Sequence, residues 1–394
     1  MALEKLHKVL DDIVKKNNYI NPTVAVNPIS TGGANYSSSL YTIIVSESGK
    51  EDLQLFAKVL VTNENLSAQL PMKIVDLEQF FYVDLLKKYE NIQNAHNLPV
   101  EKRLIVPKYY GCYPKEPVAQ TIVLENLTVK GFTTHDRFKS IDWDYAAKAM
   151  ESLAKFHALS MAYSENNPVE FEQVVEKIKG NGEMIAGILK RMYQQHINTT
   201  LAVIPEKHKN KLQKYLDTEV NTELMFKNKS LQRPILCHGD YRPSNLMHRV
   251  NENGALEVIP VDFQTIQYNS PLYDLMYFIF TGSDEKFRRE HFQDLTDHYY
   301  QELSNALRSL KLNPDVIYPK TTFELELKEY LPYGLVTAIY SLPIITVETE
   351  NAPVIRDDAS IEVYDSFLQT KTGPLYPERM NGVINDFFRW GIIE

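Results

Sequence analysis

The sequence predicts an α+β fold in two lobes, a smaller one built on an antiparallel sheet and a larger, mainly helical one. Three observations predict it. The chain has 394 residues, enough to bury a large core and to divide into two units. Apolar and β-branched runs separated by short turns fill residues 22–61 and return at 104–124, the pattern of strands. From Asp142 onward apolar residues recur at spacings of three and four, the pattern of helices. The boundary falls after Leu127, giving an N-terminal unit, 1–127, and a C-terminal unit, 128–394.

Composition narrows the class. Hydrophobic residues make up 44% and charged residues 24% of the chain, ordinary for a soluble globular protein. A net charge of -9 argues against a general nucleic-acid or anionic-membrane partner. Two cysteines, Cys112 and Cys237, supply neither a disulfide framework nor a cysteine metal site, and fit a reducing, cytoplasmic setting. Leu3, Leu6, Leu10 and Ile13 recur at helical spacing but are interrupted by charges, unlike a signal peptide. No run is long enough to cross a membrane, and a monomer is expected.

The elements follow in order. Residues 29–38 form a small-residue loop around Gly32 and Gly33, between two apolar runs. Small residues let backbone N–H groups approach a phosphate, although Gly-Gly among serines is by itself an ordinary turn. The runs 40–45 and 53–60 meet at a turn near Ser48-Gly49. Counting outward from that turn sets Ser39 opposite Lys58 and returns the lysine beside the small-residue loop. Residues 71–89 read as a helix with Pro71 in its first turn. Ile74, Phe81 and Leu85 mark an apolar stripe, and Glu78 lies on it. A carboxylate on an apolar face is costly unless paired, and Lys58, set within an apolar strand, is the available partner. A polar loop, 91–101, follows. Residues 104–106 and 120–124 read as strands, the second running into Glu125-Asn126-Leu127. There the chain leaves the sheet, either as a plain linker or with backbone groups free for an adenine edge.

In the second lobe, Trp143, Ala147, Met150, Ala154, His157 and Met161 share one helical stripe. No second histidine stands at metal spacing, so His157 reads as a hydrogen-bonded core residue. Residues 171–201 and 205–224 read as amphipathic helices, and 283–394 as helices with aromatic interruptions. Ser270 is placed to cap the helix that follows Pro271, with Asp274 making structural hydrogen bonds to the loop before it. The 24 tyrosines suit a pocket of rings with polar tips, at a place the sequence does not locate.

The richest stretch is 235–264. A short apolar strand leads to the loop His238-Gly239-Asp240-Tyr241-Arg242-Pro243-Ser244-Asn245, and a hairpin then ends at Asp262-Phe263-Gln264. Asn253-Gly254 is a two-residue hairpin signal, because both central positions of that turn need positive φ. Counting from that tip makes Asn245 face Asp262, with Asp240 one short loop away. Singly, Asp and Asn are common turn residues. Together they bring hard oxygen donors suited to Mg²⁺ and phosphate chemistry, at the spacing of a kinase catalytic loop followed by a metal-binding aspartate.

The ordered phrases GGANYSSSLY, FAKVL, DLEQFFY, VLENL, LAKFHALS, CHGDYRPSN, VDFQ and SPLYDLMYF resemble the ecdysteroid kinase-like family. That family sits within the choline kinase and aminoglycoside phosphotransferase group of protein-kinase-like folds. The likeness runs over residues 29–280, while the C-terminal third matches in length and helical character. It implies a two-lobed fold with ATP in the cleft. Lys58 would contact the α- and β-phosphates, with Glu78 holding it. Backbone of Gly33, Asn35 and Ser37 would cover the phosphates, and backbone of Glu125 and Leu127 would bind adenine. Asp240 would orient or deprotonate the acceptor hydroxyl, Asn245 and Asp262 would hold Mg²⁺, and His238 would brace the loop. HGD stands where protein kinases have HRD, DFQ where they have DFG, and no A-P-E segment follows. A small-molecule hydroxyl is therefore the expected acceptor, and the resemblance suggests an ecdysteroid-like steroid or a xenobiotic to be detoxified. A catalytically silent carrier or scaffold is the alternative, favoured only by the incomplete glycine motif. A hydrolase using Asp240, His238 and a metal is a third reading.

Overall fold

The structure, a computed structural model, describes residues 2–29, 38–60, 73–113, 121–179, 194–218, 232–351 and 371–394. It has the expected two-lobed α+β architecture. Five antiparallel strands, β1 (Thr23–Ile29), β2 (Ser38–Ser46), β3 (Leu53–Leu60), β4 (Tyr109–Cys112) and β5 (Thr121–Glu125), lie in the order β1-β2-β3-β5-β4. Because successive side chains in a strand point to opposite faces, the sheet divides its contacts cleanly. Ile43, Val45, Leu55, Ala57, Val59 and Val123 pack against Leu6, Val9, Leu10 and Ile13 of helix α1 (Ala2–Lys16). Each such leucine or isoleucine, fully buried, contributes roughly 1.5–3 kcal/mol. Ile122 and Leu124 face the other way, into the main core, and Ile122 pairs with Lys58. Alternation therefore puts Lys58 on the sheet face turned from α1.

The strand registers differ from expectation by one residue. Lys58 pairs with Leu40, not Ser39. The ladder is symmetric about Gly49, which has φ +81°, so the loop is odd-numbered and Ser48-Gly49 is not a two-residue turn. A second strand was expected at 104–106 and stands instead at Tyr109–Cys112. The Leu104 N–H donates to the Gln93 side chain at 2.7 Å, so a helix satisfies that segment and no ladder is needed.

Helix α2 (Lys73–Phe80) passes through a π turn (Phe81–Leu85) into α3 (Leu86–Ala95). Pro71 lies outside the described residues. The helix continues past Tyr89 into the stretch expected to be a loop, because Ile92 and Gln93 are buried on its inner side.

The second lobe is a stack of helices. Its axis is α4 (Trp143–Asn166), capped by Asp142, whose side chain accepts from the Tyr145 N–H at 2.9 Å. Around it stand α5 (Pro168–Lys179), α6 (Glu206–Thr218), α7 (Leu272–Gly282), α8 (Glu285–Ser309), α9 (Lys320–Ile345) and α10 (Leu375–Arg389). The expected helices over 171–201 and 205–224 are helical at 171–179, 194–201 and 206–218, Pro205 standing just before the last of these. The Leu272 N–H at the start of α7 donates to Ser270 Oγ at 3.3 Å. No helix among the described residues is long and apolar enough to cross a membrane.

Two small ladders carry the loops of interest. β7 (Ile235–Cys237) pairs with β10 (Gln267–Asn269). The hairpin of β8 (Leu246–Val250) and β9 (Leu256–Pro260), along whose β8 edge β6 (Thr133–Thr134) pairs, sets Leu246 opposite Pro260. Its tip is not the two-residue Asn253-Gly254 turn. The Asn251 side chain accepts from the N–H groups of Asn253 and Ala255, both at 3.0 Å, and holds a longer loop in which Gly254 has φ +78°. The register moves by one, and Asn245 meets Val261, whose N–H donates to the Asn245 carbonyl at 2.9 Å. Asp262 is the next residue.

Candidate active site

Lys58 is one point where the two lobes meet. Its Nζ lies 2.9 Å from Glu78 Oε2, donates to Gln264 Oε1 at 3.1 Å, and bonds Asp262 Oδ1. The pairing with Glu78 is the one demanded by a carboxylate on the apolar side of α2, and Glu78 is only 4% exposed. Two carboxylates against one ammonium leave one negative charge in a buried place. Burial, reinforced by the charge of Asp262, pushes the Glu78 carboxyl above its usual range even though Lys58 pulls it down. Burial also opposes ionisation of Asp262, but Lys58 outweighs it and holds that carboxyl below the usual range. Burial disfavours the Lys58 ammonium too, yet Asp262 and Glu78 raise its pKa and keep it charged.

Asp262 has φ +68°, a left-handed conformation that costs a non-glycine residue about 1 kcal/mol or more. Its neighbour fixes it there. The Phe263 ring stacks on Phe81 of the π turn, 3.6 Å between centroids and 11° between planes, and also touches Phe156 and His238. With Phe263 buried, Asp262 and Gln264 are turned toward Lys58 on either side of it.

The loop before the hairpin is anchored from beneath. Asp274 of α7 accepts from the N–H groups of His238 at 2.7 Å and Gly239 at 2.8 Å. It also accepts from His157 Nε2 at 3.0 Å, while His157 Nδ1 accepts from the Tyr299 hydroxyl at 2.7 Å. His157 and Asp274 are fully buried, as expected of a core histidine and a structural carboxylate, but Asp274 holds the loop at 238–239 and not the one directly before its helix. His238 Nε2 donates to the Val261 carbonyl at 3.0 Å, and its Nδ1 accepts from the Asp240 N–H at 3.3 Å. The imidazole thus ties Asp240 to the residue preceding Asp262. Gly239 has φ +88°, and a Cβ there would lie 2.0 Å from the Thr265 carbonyl oxygen. HGD in place of HRD is therefore a steric requirement of this loop, beyond the loss of an arginine.

Asp240 and Asn245 are in contact. Asn245 Nδ2 donates to the Asp240 carbonyl at 2.9 Å and to its Oδ2 at 2.8 Å. The Asn245 side-chain oxygen is left without a donor among the described residues. That atom and the Asp262 carboxylate, 23% exposed, are hard oxygens at one end of the hairpin.

The other expected site residues stand as follows. Gly33, Asn35 and Ser37 lie outside the described residues. Glu125 ends β5, its N–H donating to the Lys108 carbonyl at 2.8 Å and its side chain paired with Lys130. Leu127 is buried and opens a short 3-10 turn, Leu127–Lys130, capped by Asn126. The structure adds two residues beside the site. Gln264 joins Lys58, and Arg242 pairs with Asp240, its Nε 3.1 Å from Oδ1. The signal for each was faint: a side chain with hydrogen-bonding power two positions after an aspartate.

A family model described as the ecdysteroid kinase-like family matches residues 32–312. No curated protein matches the chain. Among solved structures, an ethanolamine kinase of Plasmodium vivax aligns over 98% of this chain and 89% of its own, at 15% identity and a TM-score of 0.48. An aminoglycoside phosphotransferase in complex with GDP and kanamycin aligns over 84% of this chain and 92% of its own, at 13% identity and a TM-score of 0.40. A glucosamine kinase with glucosamine, ADP and inorganic phosphate aligns over 97% of this chain and 82% of its own, at 12% identity and a TM-score of 0.35.

Proposed function

The chain belongs to the ecdysteroid kinase-like family, and on that premise we propose that it transfers the γ-phosphoryl group of ATP to a hydroxyl of a small molecule. The observation that carries this reading is one convergence. Lys58, held by Glu78, bonds Asp262, which lies 204 residues away in sequence, and the hairpin ending at Asp262 begins at Asn245, in contact with Asp240. Phosphoryl transfer needs chiefly positioning and charge neutralisation, and this arrangement offers both.

Lys58 takes the α- and β-phosphates, and Glu78 keeps its ammonium in place. Backbone of Gly33, Asn35 and Ser37 covers the phosphates, and backbone of Glu125 and Leu127 meets adenine. The donor set suits Mg²⁺: the free Asn245 amide oxygen and the Asp262 carboxylate are hard oxygens beside a net negative charge. When bound, Mg²⁺ neutralises phosphate oxygens. Asp240, oriented by Asn245, points the acceptor hydroxyl and takes its proton. The acceptor we favour is an ecdysteroid-like steroid or a hydroxylated xenobiotic, handled by a cytoplasmic monomer.

The test is transfer of label from γ-labelled ATP to a broad panel of alcohols and steroids. Labelled product that disappears in Asp240→Asn supports the reading. Silence across the panel, or full activity in Asp240→Asn, sinks it. Thermal stabilisation by ATP that needs Mg²⁺ and is lost in Asp262→Ala separates it from a silent carrier.

A further inference from the structure

Arg242 stands in the loop between Asp240 and Asn245, and its backbone belongs to both. Its N–H donates to the Asp240 carbonyl at 3.0 Å, and its carbonyl accepts from the Asn245 N–H at 2.8 Å. Its side chain is 14% exposed, and Nε lies 3.1 Å from Asp240 Oδ1 and 3.2 Å from Oδ2. The two Nη groups have no acceptor among the described residues. Three other arginines each keep at least one Nη engaged. Arg103 Nη1 donates to Asn94, Arg249 Nη1 to the Lys130 carbonyl and Arg288 Nη1 to the Ser283 carbonyl, each at 2.7 Å. A mostly buried guanidinium with an idle fork is a cation held in reserve for an anion, because the fork matches two oxygens of a phosphate or carboxylate.

The charges say which anion. Besides Asp240, the groups that act on the Arg242 charge are Tyr277 of α7 and Asp262. The guanidinium therefore lies in the field of both the proposed hydroxyl-orienting carboxylate and the proposed metal-binding carboxylate. A phosphoryl group passing from nucleotide to acceptor must approach Asp240, a like charge. Lys58 is committed to Glu78, Asp262 and Gln264, so it offsets charge on the nucleotide side. Arg242 is placed to do so on the acceptor side.

Resting on the phosphotransfer reading above, we propose that Arg242 is a further catalytic residue, whose Nη groups bind oxygens of the phosphoryl group in transfer while Nε neutralises Asp240. In that step the acceptor oxygen bonds to the γ-phosphorus as the bond from that phosphorus to the β–γ bridging oxygen breaks. ADP leaves with that electron pair, and the hydroxyl proton passes to Asp240. The charge of the transferring group lies on its three outer oxygens, and an arginine supplied within the same chain stabilises it in other phosphoryl-transfer enzymes.

The experiment is calorimetric titration of the full chain with MgADP and with MgADP plus aluminium fluoride, the fluoride standing for the phosphoryl group in flight. The wild type should bind the fluoride complex at least about 100-fold tighter than MgADP alone. Arg242→Gln should lose most of that gain, keep its MgADP affinity within about threefold and melt near the wild-type temperature, while Arg242→Lys keeps part of the gain. In an Asp240→Asn background, where no carboxylate needs neutralising, Arg242→Gln should still lose the gain. An Arg242→Gln protein that retains the full fluoride gain overturns the proposal. So does one that loses MgADP binding and thermal stability together, which marks a structural clamp, or one that costs nothing further in the Asp240→Asn background. A wild type that binds neither complex overturns the phosphotransfer reading itself, and the Arg242 proposal with it.

Discussion

Two of the buried polar centres among the described residues are built on opposite principles. One is Asp274 with His157, Tyr299 and the N–H groups of His238 and Gly239. The other is Lys58 with Glu78, Asp262 and Gln264, beside Asp240 and Asn245. His157, Cys237 and Asp274 form a group with metal-ligand chemistry, yet its valences are closed: Asp274 accepts three bonds, and Cys237 Sγ donates to the Ser270 carbonyl at 3.2 Å. The second centre keeps capacity in reserve: an amide oxygen on Asn245, a partly exposed carboxylate on Asp262, a fork on Arg242. Polar groups that saturate one another rigidify a fold, whereas groups left short of partners are poised for a ligand.

The contrast predicts separable damage. The largest effect is expected in the open centre: Asp240→Asn should lower phosphoryl transfer about 10³-fold while the melting temperature hardly moves. A loss below tenfold would put Asp240 with the structural carboxylates. Asp262→Ala should abolish the Mg²⁺-dependent stabilisation that ATP confers, about 2.7 kcal/mol at a concentration 100 times Kd, and thermal denaturation with and without nucleotide measures it. The closed centre should fail the other way. Asp274→Ala strands two backbone N–H groups and an imidazole, costing about 3–5 kcal/mol, or about 5 °C in Tm for a chain of this length. Unchanged stability there would break the comparison.

The smallest effect expected is a response to acid. Burial holds the His157 imidazole below its ordinary pKa, and it holds His196 down to about 4 from 6.5. The folded state therefore binds these protons less readily than the unfolded chain, so stability is full above about pH 6.5 and is lost as pH falls toward 4. His196 alone should cost about 2 kcal/mol between pH 7 and 5. Urea unfolding of wild type and His196→Gln at both pH values reads it, and equal pH slopes for the two proteins would refute it.

Much of this was legible in the chain. The Lys58–Glu78 pair could be read because a glutamate on an apolar helix stripe needs a cation, and His157 and Asp274 because apolar stripes enclose them. The registers were not. Both hairpins slipped by one residue, since Gly49 sits alone at the centre of one loop and the Asn251 side chain organises the other. A strand misplaced to 104–106 reflects Gln93, whose amide satisfies that backbone from a helix. Gly239 looked like a departure from a motif, and its reason, the Thr265 carbonyl, is 26 residues onward.

What the sequence by itself determined is periodic and local: which segments are strands, which are helices, and which polar residues stand where burial makes them costly. Those follow from interactions reaching two to four positions along the chain. Only the tertiary structure decided that Gln264 reaches Lys58 across 206 positions, that Phe263 stacks on Phe81, and that the Arg242 fork is left open beside Asp240. Such facts depend on where distant segments cross. Hydrogen bonds and ion pairs are made within about 4 Å, and spacing along a chain does not carry that distance.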